Sequence, residues 1–545
     1  MNTFSFMDRK ENINRMKTEE FDLVIIGGGI NGAGVARDAA ARGMSVALIE
    51  GSDFASGTSS RSSKLIHGGI RYLENMEFKL VFEALNERTR LFEMAPHLVH
   101  PLRFMIPLYK DSRVGMFKMG LGMWLYDALC LFQAPEMHER LNAQETKERM
   151  PSVQGNDLVG SFIYSDAYMD DDRLVHETLR AANEEGALAV NYVRATGASF
   201  DANGKISEVH CEDQFSGEGR FSIKARHVIS TVGVWTDQLG TALFKEWKKI
   251  LRPTKGVHLT FSKHRLPLQS AVVMGAEKSD RIVFGIPRHD MVIVGTTDTD
   301  FKDLPENVST THEDVEYLLK VIDQYFPGAK ITAHDIIASY AGVRPLVQDG
   351  SSSEGKTSRE HTIIDDARGV TFVAGGKYTT YRLMAEQIVD SALHSFTLED
   401  RIKFKKADTS KPLSSFTSTD AYQQALSQTD AWARRFGRSL EEVTLLAERY
   451  GMEALQMLED APKMATYWQI EAAQAIENTM CLHLVDFYTR RVSLFLADRN
   501  HGLHQLDEVG EVFKELLSWS EEHLRAEKHR LTEYMAKEVG WKKSF

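Results

Sequence analysis

The sequence predicts an α/β fold, α+β overall, that ends in an all-α domain. Three observations support this prediction: a βαβ unit begins near residue 21, short strands alternate with a few helices through the middle, and only helical periodicity remains beyond residue 400. The chain has 545 residues, 43% of them hydrophobic and 26% charged. That balance is typical of a globular protein of two or three domains and excludes a disordered or collagen-like chain.

A glycine fingerprint lies in the N-terminal βαβ unit. Residues 23–26 form a short apolar run typical of a buried parallel strand, and a helix of small residues follows at 33–42. Between them, Gly27 permits a tight turn, Gly29 lets a pyrophosphate approach the backbone, and Gly32 lets helix and strand pack closely. The N-terminus of this helix is therefore a predicted phosphate site.

An acidic residue ends the second strand of this unit. Glu50 follows Gly32 by 18 positions, where a carboxylate can accept hydrogen bonds from ribose hydroxyls. Together these residues predict a dinucleotide site, and the alternative is a structural glycine turn beside a surface Glu. The fingerprint does not separate FAD from NAD, although an N-terminal βαβ unit before several hundred residues of mixed structure is more typical of flavoproteins.

Later segments complete the predicted fold. The pattern indicates strands at 227–232, 282–286, 291–294 and 370–374, and helices at 173–185 and 380–393. A stretch rich in Ser and Thr at 409–419 is typical of a linker. We expect a separate helical domain after it.

Composition limits the partners. Acidic residues outnumber basic ones, 77 to 65, which gives a net charge of −12 and argues against a broad nucleic-acid surface. Three cysteines without a CxxC pair argue against a disulfide framework or a metal site and suit a reducing cytosol. Because the first residues lack a signal-peptide core and no apolar run is long enough to span a bilayer, we expect a cytoplasmic protein.

A segment rich in hydroxyls, glycines and cations follows the βαβ unit. This segment, TSSRSSKLIHGGIRYL at 58–73, resembles FAD-dependent glycerol-3-phosphate dehydrogenases. So do, in the family's order, IIGGGINGAGVARDAA, YSDAYMDDDRL, IVGTTDTD, YAGVRPL and GGKYTTYR. The resemblance spans residues 21–382 and extends more weakly to HLVDFYTRRVSLF in the helical domain.

The resemblance implies both architecture and activity. Residues 1–408 would form an FAD-binding Rossmann-like domain interleaved with an antiparallel β substrate-capping domain. The segments of the capping domain would lie near 95–165 and 245–345, and residues 409–545 would form a helical C-terminal domain. The implied reaction is oxidation of sn-glycerol 3-phosphate to dihydroxyacetone phosphate by hydride transfer to flavin, with electrons passed to a membrane quinone.

Several alternatives stay open at this point. An oxidase that uses molecular oxygen, a non-catalytic flavin-binding redox sensor and an NAD-dependent dehydrogenase each fit part of the pattern. The sequence does not decide which quinone is used, whether the flavin is covalently attached, or the oligomeric state, for which a homodimer is one option.

A glycerol phosphate is a dianion, so its site needs fixed cations and hydrogen-bond donors. Candidate substrate ligands are Arg71, Tyr72, Arg344 and Lys377, which lie within the motifs quoted above. The alternative for each cation is a solvated surface charge.

Oxidation of the alcohol also needs a base, and imidazole titrates near working pH. His67 and His258 are equal candidates, with a structural histidine as the alternative for each. Arg344 is a further candidate catalytic residue, because a guanidinium can polarise the reacting hydroxyl.

Cofactor contacts are expected from several segments. Backbone N–H groups at Gly375 and Gly376 would face the pyrimidine end of the flavin, where negative charge develops on reduction. The predicted cofactor-binding residues are Gly27, Gly29, Gly32, Glu50, Thr58, Ser59, Ser63, Lys64, Ala195, Gly233, Trp235, Gly376 and Thr379.

Residues 101–132 interleave apolar and aromatic side chains with cations. This composition is typical of a segment at the surface of an anionic membrane, and the alternative is a buried helix with snorkelling cations. We expect peripheral contact with the inner face of the plasma membrane.

Overall fold

The computed structural model describes residues 4–74, 76–215, 217, 219–275, 281–348 and 361–545. The strands are β1 (Glu20–Ile26), β2 (Val46–Ile49), β3 (Leu65–Ile66), β4 (Val99–Tyr109), β5 (Glu139–Asn142), β6 (Leu158–Met169), β7 (Leu188–Val190), β8 (Val193–Phe200), β9 (Ile206–Asp213), β10 (Gly219–Ser230), β11 (Thr254–Ser262), β12 (Ala271–Gly275), β13 (Ile282–Arg288), β14 (Met291–Gly295), β15 (Thr299–Asp300), β16 (Ile336–Arg344), β17 (Thr362–Asp366) and β18 (Val370–Ala374).

Helices surround these strands and make up the C-terminal region. They are α1 (Phe6–Thr18), α2 (Ile30–Ala41), α3 (Phe78–Met94), α4 (Met116–Leu129), α5 (Ala143–Arg149), α6 (Asp171–Glu184), α7 (Thr236–Leu243), α8 (His312–Tyr325), α9 (Tyr381–Leu393), α10 (Leu398–Lys403), α11 (Thr419–Phe436), α12 (Leu440–Tyr450), α13 (Glu453–Asp460), α14 (Tyr467–Thr479), α15 (Leu484–Asp486), α16 (Leu494–Ala497), α17 (Leu506–Leu516) and α18 (Glu521–Glu538).

The first sheet is parallel at its centre. Its strand order is β17-β18-β10-β1-β2-β7, and β1 pairs in parallel with β2 and with β10. Residues 23–26 of β1 are all buried, as expected of a strand covered on both faces. Helix α2 packs against α6 and α9, so the crossover helix between β1 and β2 is fixed from two sides.

The second sheet is mostly antiparallel. Its strand order is β15-β11-β14-β13-β12-β4-β6-β3, with β16 added on β11 and β5 on β6. These strands come largely from residues 99–169 and 254–344, close to the segments predicted to form a cap. The domain boundaries themselves stay predictions.

Helices dominate the described chain after residue 380. Helices α11, α12 and α13 share a small core of their own, whereas residues of α14 to α18 join the core of the second sheet. The Ser339 hydroxyl in β16 donates to the Glu538 carbonyl at 2.7 Å. The predicted fold class, a parallel α/β unit with an antiparallel sheet and a helical C-terminal region, is confirmed.

Candidate functional site

A cavity of about 560 Å³ opens where the two sheets meet. Residues just after β1, β2, β10 and β18 line one side of it, and residues of β11 and β16 line the other. The carboxyl edge of a parallel sheet is the usual ligand site of such folds. The predicted residues that line it are Gly27, Gly29, Glu50, Thr58, Ser59, Ser63, His67, Tyr72, Ala195, Gly233, Trp235, His258, Arg344, Gly376, Lys377 and Thr379.

The glycine turn between β1 and α2 forms one end of this cavity. A Cβ atom on Gly32 would lie 1.9 Å from the Gly27 carbonyl oxygen, so only glycine lets helix and strand pack this closely. Gly29 is the N-cap of α2 and supplies no side-chain cap. The Ile30 N–H donates to the Ser59 hydroxyl at 3.0 Å, which ties the helix start to the serine-rich segment.

The Glu50 carboxylate lies beside this turn. Its Oε2 accepts the Gly28 N–H at 2.7 Å, and its Oε1 accepts the Ser52 N–H at 2.8 Å. Burial raises the pKa of Glu50, and these two N–H groups oppose that shift. The carboxylate is therefore held in a fixed orientation at the end of β2, where the sequence predicts a ribose contact.

The segment 58–63 connects the glycine turn to the second sheet. The Thr58 hydroxyl donates to the Val343 carbonyl at 2.7 Å. The Ser63 hydroxyl lies 2.9 Å from His258 Nε2 in β11. These contacts attach the segment to two neighbouring strands of the second sheet, β16 and β11.

Lys377 and Tyr72 also line the cavity. The Lys377 ammonium lies 3.5 Å from the centroid of the Tyr72 ring, a cation–π geometry that orients the charge. Thr379 Oγ1 accepts the His67 N–H at 3.2 Å, so the segment after β18 also fixes the backbone of His67. Two motifs more than 300 residues apart therefore meet here.

His258 is held in a fixed orientation and is neutral. Its ring stacks on Tyr340 with centroids 4.8 Å apart. Within the described part of the chain, its buried Nδ1 has no hydrogen-bond partner. Burial, with further repulsion from Arg344 and Lys64, holds the pKa of His258 well below its ordinary value. A neutral imidazole is the form that a general base needs.

Arg344 is aligned by polar partners on the loop after β14. Its Nη1 donates to Asp298 Oδ1 at 3.1 Å, and its Nη2 donates to Thr296 Oγ1 at 2.8 Å. A Cβ atom on Gly256 would lie 2.3 Å from Arg344 Nη2, so this glycine makes room for the guanidinium. The sequence alone predicts no role for Asp298, Thr296 or Gly256, although the first two lie in the motif IVGTTDTD.

Three predicted site residues lie outside the lining of the cavity. Gly32 has the packing role described above. Lys64 is buried and forms an ion pair with Asp171, and Arg71 is half-buried in the short turn Ile70–Leu73. Any contact of Lys64 or Arg71 with a bound molecule stays a prediction.

The apolar segment 101–132 divides into two parts. Residues 101–109 belong to β4, where Phe104, Met105, Ile106 and Leu108 are buried. Helix α4 instead exposes large apolar side chains, with 81% of Phe117, 59% of Leu121 and 60% of Trp124 accessible. Among the residues that the structure describes, no helix is long and apolar enough to cross a membrane.

Similar proteins are known for the whole chain. The family model for FAD dependent oxidoreductase matches residues 22–382, and that for the C-terminal domain of alpha-glycerophosphate oxidase matches 416–524. Aerobic glycerol-3-phosphate dehydrogenases of Staphylococcus saprophyticus and Staphylococcus aureus are 34% and 33% identical over 529 residues, which is 95% of each chain.

Solved structures give the same picture. The structure of glycerol-3-phosphate dehydrogenase from Bacillus halodurans complexed with FAD has a TM-score of 0.82 and 28% identity, and 98% of each chain is covered. L-alpha-Glycerophosphate oxidase from Mycoplasma pneumoniae with FAD bound has a TM-score of 0.54 and 20% identity, covering 69% of this chain and 95% of that chain. The second likeness concerns the fold alone.

Proposed function

Because the chain belongs to the FAD-dependent oxidoreductases and, within them, to the aerobic glycerol-3-phosphate dehydrogenases, we propose that it oxidises sn-glycerol 3-phosphate to dihydroxyacetone phosphate and passes the electrons to a membrane quinone. One observation carries the proposal. A single cavity joins the glycine turn of a dinucleotide site to a group of Arg344, Lys377 and two histidines, which suits an anionic alcohol.

The residues at the first end of the cavity fit FAD. The open N-terminus of α2 at Gly29 suits a pyrophosphate, and the fixed Glu50 carboxylate suits a ribose. Gly376 lines the same cavity just after β18, where its backbone N–H would face the pyrimidine end of the flavin. When bound, FAD supplies the acceptor for a hydride.

Lys377 supplies the cation for the substrate phosphate. Its ammonium is oriented by the Tyr72 ring and lines the cavity beside His67. An ammonium held in a fixed position at the cavity wall suits a phosphate oxygen as a point charge. Tyr72 adds a hydroxyl at the same end.

Arg344 and His258 act on the reacting hydroxyl. Arg344 lies close enough to His258 to lower its pKa, and both groups line the same cavity. The hydroxyl proton passes to neutral His258 as the hydride leaves the carbon that bears this hydroxyl. Arg344 stabilises the negative charge that develops on the hydroxyl oxygen. His67 is the second candidate for the base.

The exposed face of α4, formed by Phe117, Leu121 and Trp124, supports the proposal that the enzyme attaches to the membrane that holds the quinone. Burying one large apolar side chain contributes roughly 1.5–3 kcal/mol, so three such residues support a reversible interfacial attachment. Lys118, exposed on the same helix, adds attraction to anionic lipid.

The acceptor is tested by reoxidising the reduced enzyme. A water-soluble quinone should reoxidise the flavin about a hundredfold faster than air-saturated buffer does. This ratio of rates corresponds to a difference of about 2.7 kcal/mol in barrier height. Rapid reoxidation by oxygen with stoichiometric hydrogen peroxide would instead identify an oxidase.

Membrane attachment is tested by co-sedimentation with vesicles of mixed anionic and zwitterionic phospholipid. Trp124→Ser should bind these vesicles more weakly than the unaltered protein. Leu398→Ser is the matched control, since Leu398 is 69% exposed on α10 rather than on α4. Equal binding of all three proteins would contradict docking through α4.

A further inference from the structure

The loop that follows β2 has two sides. Near its ends, Glu50 to Ser52 and Ser56 to Ser59 line the cavity. In its middle, Asp53 and Phe54 are fully buried, with 0% of each accessible. We call residues 50–59 the β2 loop. Whatever fixes the middle of this loop also fixes two stretches of the cavity wall.

Two arginines of the C-terminal region hold Asp53. Arg490 Nε donates to Asp53 Oδ2 at 2.7 Å, and the two terminal nitrogens of Arg491 donate to Oδ2 and Oδ1 at 2.8 and 2.9 Å. Both arginines belong to the π-helical turn Phe487–Arg491, and Arg490 lies 437 residues beyond Asp53. The helical region thus reaches the buried middle of the β2 loop.

The arginines are themselves aligned by neighbours. Arg491 donates to the Thr479 hydroxyl at 2.8 Å and to the Thr479 carbonyl at 3.0 Å. Arg490 also pairs with Asp486. Asn191 bridges Asp53 and the Met480 carbonyl at 3.2 and 3.0 Å. The guanidinium groups therefore have little freedom to turn away from Asp53.

Asp53 is ionised in this cluster. Burial alone would raise its pKa, but Arg491 and Arg490 hold the pKa of Asp53 far below its ordinary value. A buried ion pair contributes little net stability, because desolvation of the charges offsets their attraction. The contribution of this cluster is therefore better sought in the geometry that it imposes.

The middle of the β2 loop transmits this geometry to the cavity. A Cβ atom on Gly28 would lie 2.6 Å from the Phe54 ring, so Phe54 packs directly on the glycine turn. The Ala55 N–H donates to the Gly28 carbonyl at 3.1 Å. On the other side of Asp53, the Ser52 N–H holds Glu50 Oε1 at 2.8 Å. Both features expected to contact the nucleotide therefore rest on residues adjoining Asp53.

We propose that Arg490 and Arg491 are positioning residues for FAD, through which the C-terminal domain fixes the nucleotide end of the cavity. They hold Asp53, Asp53 holds the β2 loop, and the loop holds Glu50 and the glycine turn. Neither arginine lines the cavity. This role concerns cofactor affinity and is independent of which alcohol is oxidised.

The test is Arg491→Lys, which keeps the charge but loses the planar fork that bonds both oxygens of Asp53. FAD is removed and its Kd for the apoprotein is measured from the change in flavin fluorescence on binding. The Kd should rise about tenfold, as expected when a hydrogen bond to a charged group is lost. With FAD saturating, the rate of flavin reduction by substrate should stay within about twofold of the unaltered enzyme, because the substrate end is intact.

The matched control is Glu453→Gln. Glu453 in α13 pairs with Arg180 in α6 at 2.6 Å, another buried ion pair between the helical region and the rest of the chain, but it does not touch the β2 loop. Its FAD Kd should be unchanged. An unchanged Kd in Arg491→Lys, or an equal rise in Glu453→Gln, would overturn the proposal.

A milder variant covers the case in which Arg491→Lys does not fold. Thr479→Val removes the hydroxyl that aligns Arg491 Nε and leaves the contacts with Asp53 in place. The Kd for FAD should rise about threefold, in keeping with the loss of one hydrogen bond of about 0.5–1 kcal/mol. A Kd equal to that of the unaltered protein would count against the proposal.

Discussion

The two ends of the central cavity are built differently. At the nucleotide end, the features are a backbone turn at Gly27 to Gly32 and a loop after β2, both within one short stretch of chain. At the proposed substrate end, the cavity is lined by His67, His258, Arg344 and Lys377, which belong to four separate segments. Binding at a site made of backbone depends on how closely the chain packs around the ligand. Binding and reaction at a site made of side chains depend on each charged or titrating group.

This difference predicts two separable kinds of variant. Changes at the nucleotide end should weaken FAD binding and leave the reaction intact once FAD is supplied in excess. Changes at the substrate end should leave FAD bound and slow the reaction. Any variant that does both would show that the ends are not independent.

The largest effect is expected from loss of the base. His258→Gln should lower the rate of flavin reduction by about 10²–10⁴-fold, the usual contribution of a general base, with FAD content unchanged. His67→Gln should have the smaller effect. Anaerobic stopped-flow spectroscopy measures both rates. The opposite order would assign the base to His67.

Loss of the phosphate cation should have the next largest effect. Lys377→Ala should lower kcat/KM for sn-glycerol 3-phosphate by roughly 10²–10³-fold, because removing one partner of a buried charge pair costs about 2–5 kcal/mol. Lys110→Ala, at an exposed lysine paired with Asp157, is the control. If Lys377→Ala retains normal kinetics, Lys377 does not bind the phosphate.

A smaller and different effect is expected at the nucleotide end. Gly29→Ala should raise the Kd for FAD by about tenfold or more, because the new Cβ would lie 3.0 Å from the Ser59 hydroxyl and in the path of the pyrophosphate. Flavin reduction at saturating FAD should stay nearly normal. Gly122→Ala, at a helical glycine with open space around it, should change neither quantity when both are measured on the same apoprotein preparation.

The smallest effect is a shift in pH dependence. Protonated His258 cannot accept the hydroxyl proton, so kcat/KM falls as the pH drops through its pKa, which lies well below 6.5. Arg344→Gln removes a cation that lowers this pKa, so the acid limb of the residual activity should move to higher pH.

Comparison of the two enzymes with the same substrate isolates this shift, since the substrate phosphate titrates alike in both. An acid limb that stays in place would separate Arg344 from the base.

The nucleotide end could be predicted from sequence because its features are contiguous. The apolar runs at 23–26 and Val46–Ile49, the three glycines and Glu50 are all found where the pattern predicts them. The substrate end could not be assembled from periodicity or spacing, and its candidates came from a resemblance between motifs. The structure brings five of those candidates, His67, Tyr72, His258, Arg344 and Lys377, to one cavity.

Long-range contacts are what the sequence could not supply. Asp53 pairs with Arg490 and Arg491, which lie 437 and 438 positions further along the chain. No sequence motif connects positions so far apart. Lys64, a predicted cofactor contact, forms an ion pair with Asp171 that no sequence spacing predicts. From composition alone, the apolar segment 101–132 is interpreted as one membrane-surface segment, because a buried strand and an exposed helix face have similar composition. Only tertiary packing separates β4 from α4.

The most direct test is the anaerobic visible spectrum of the purified holoenzyme during addition of sn-glycerol 3-phosphate. A flavin band that bleaches with one equivalent of substrate, and that glycerol with inorganic phosphate leaves unchanged, is the expected result. This result would show that the bound flavin and the substrate react with each other in the same protein. An oxidised flavin spectrum that persists in excess sn-glycerol 3-phosphate would contradict the proposed activity while leaving the nucleotide site intact.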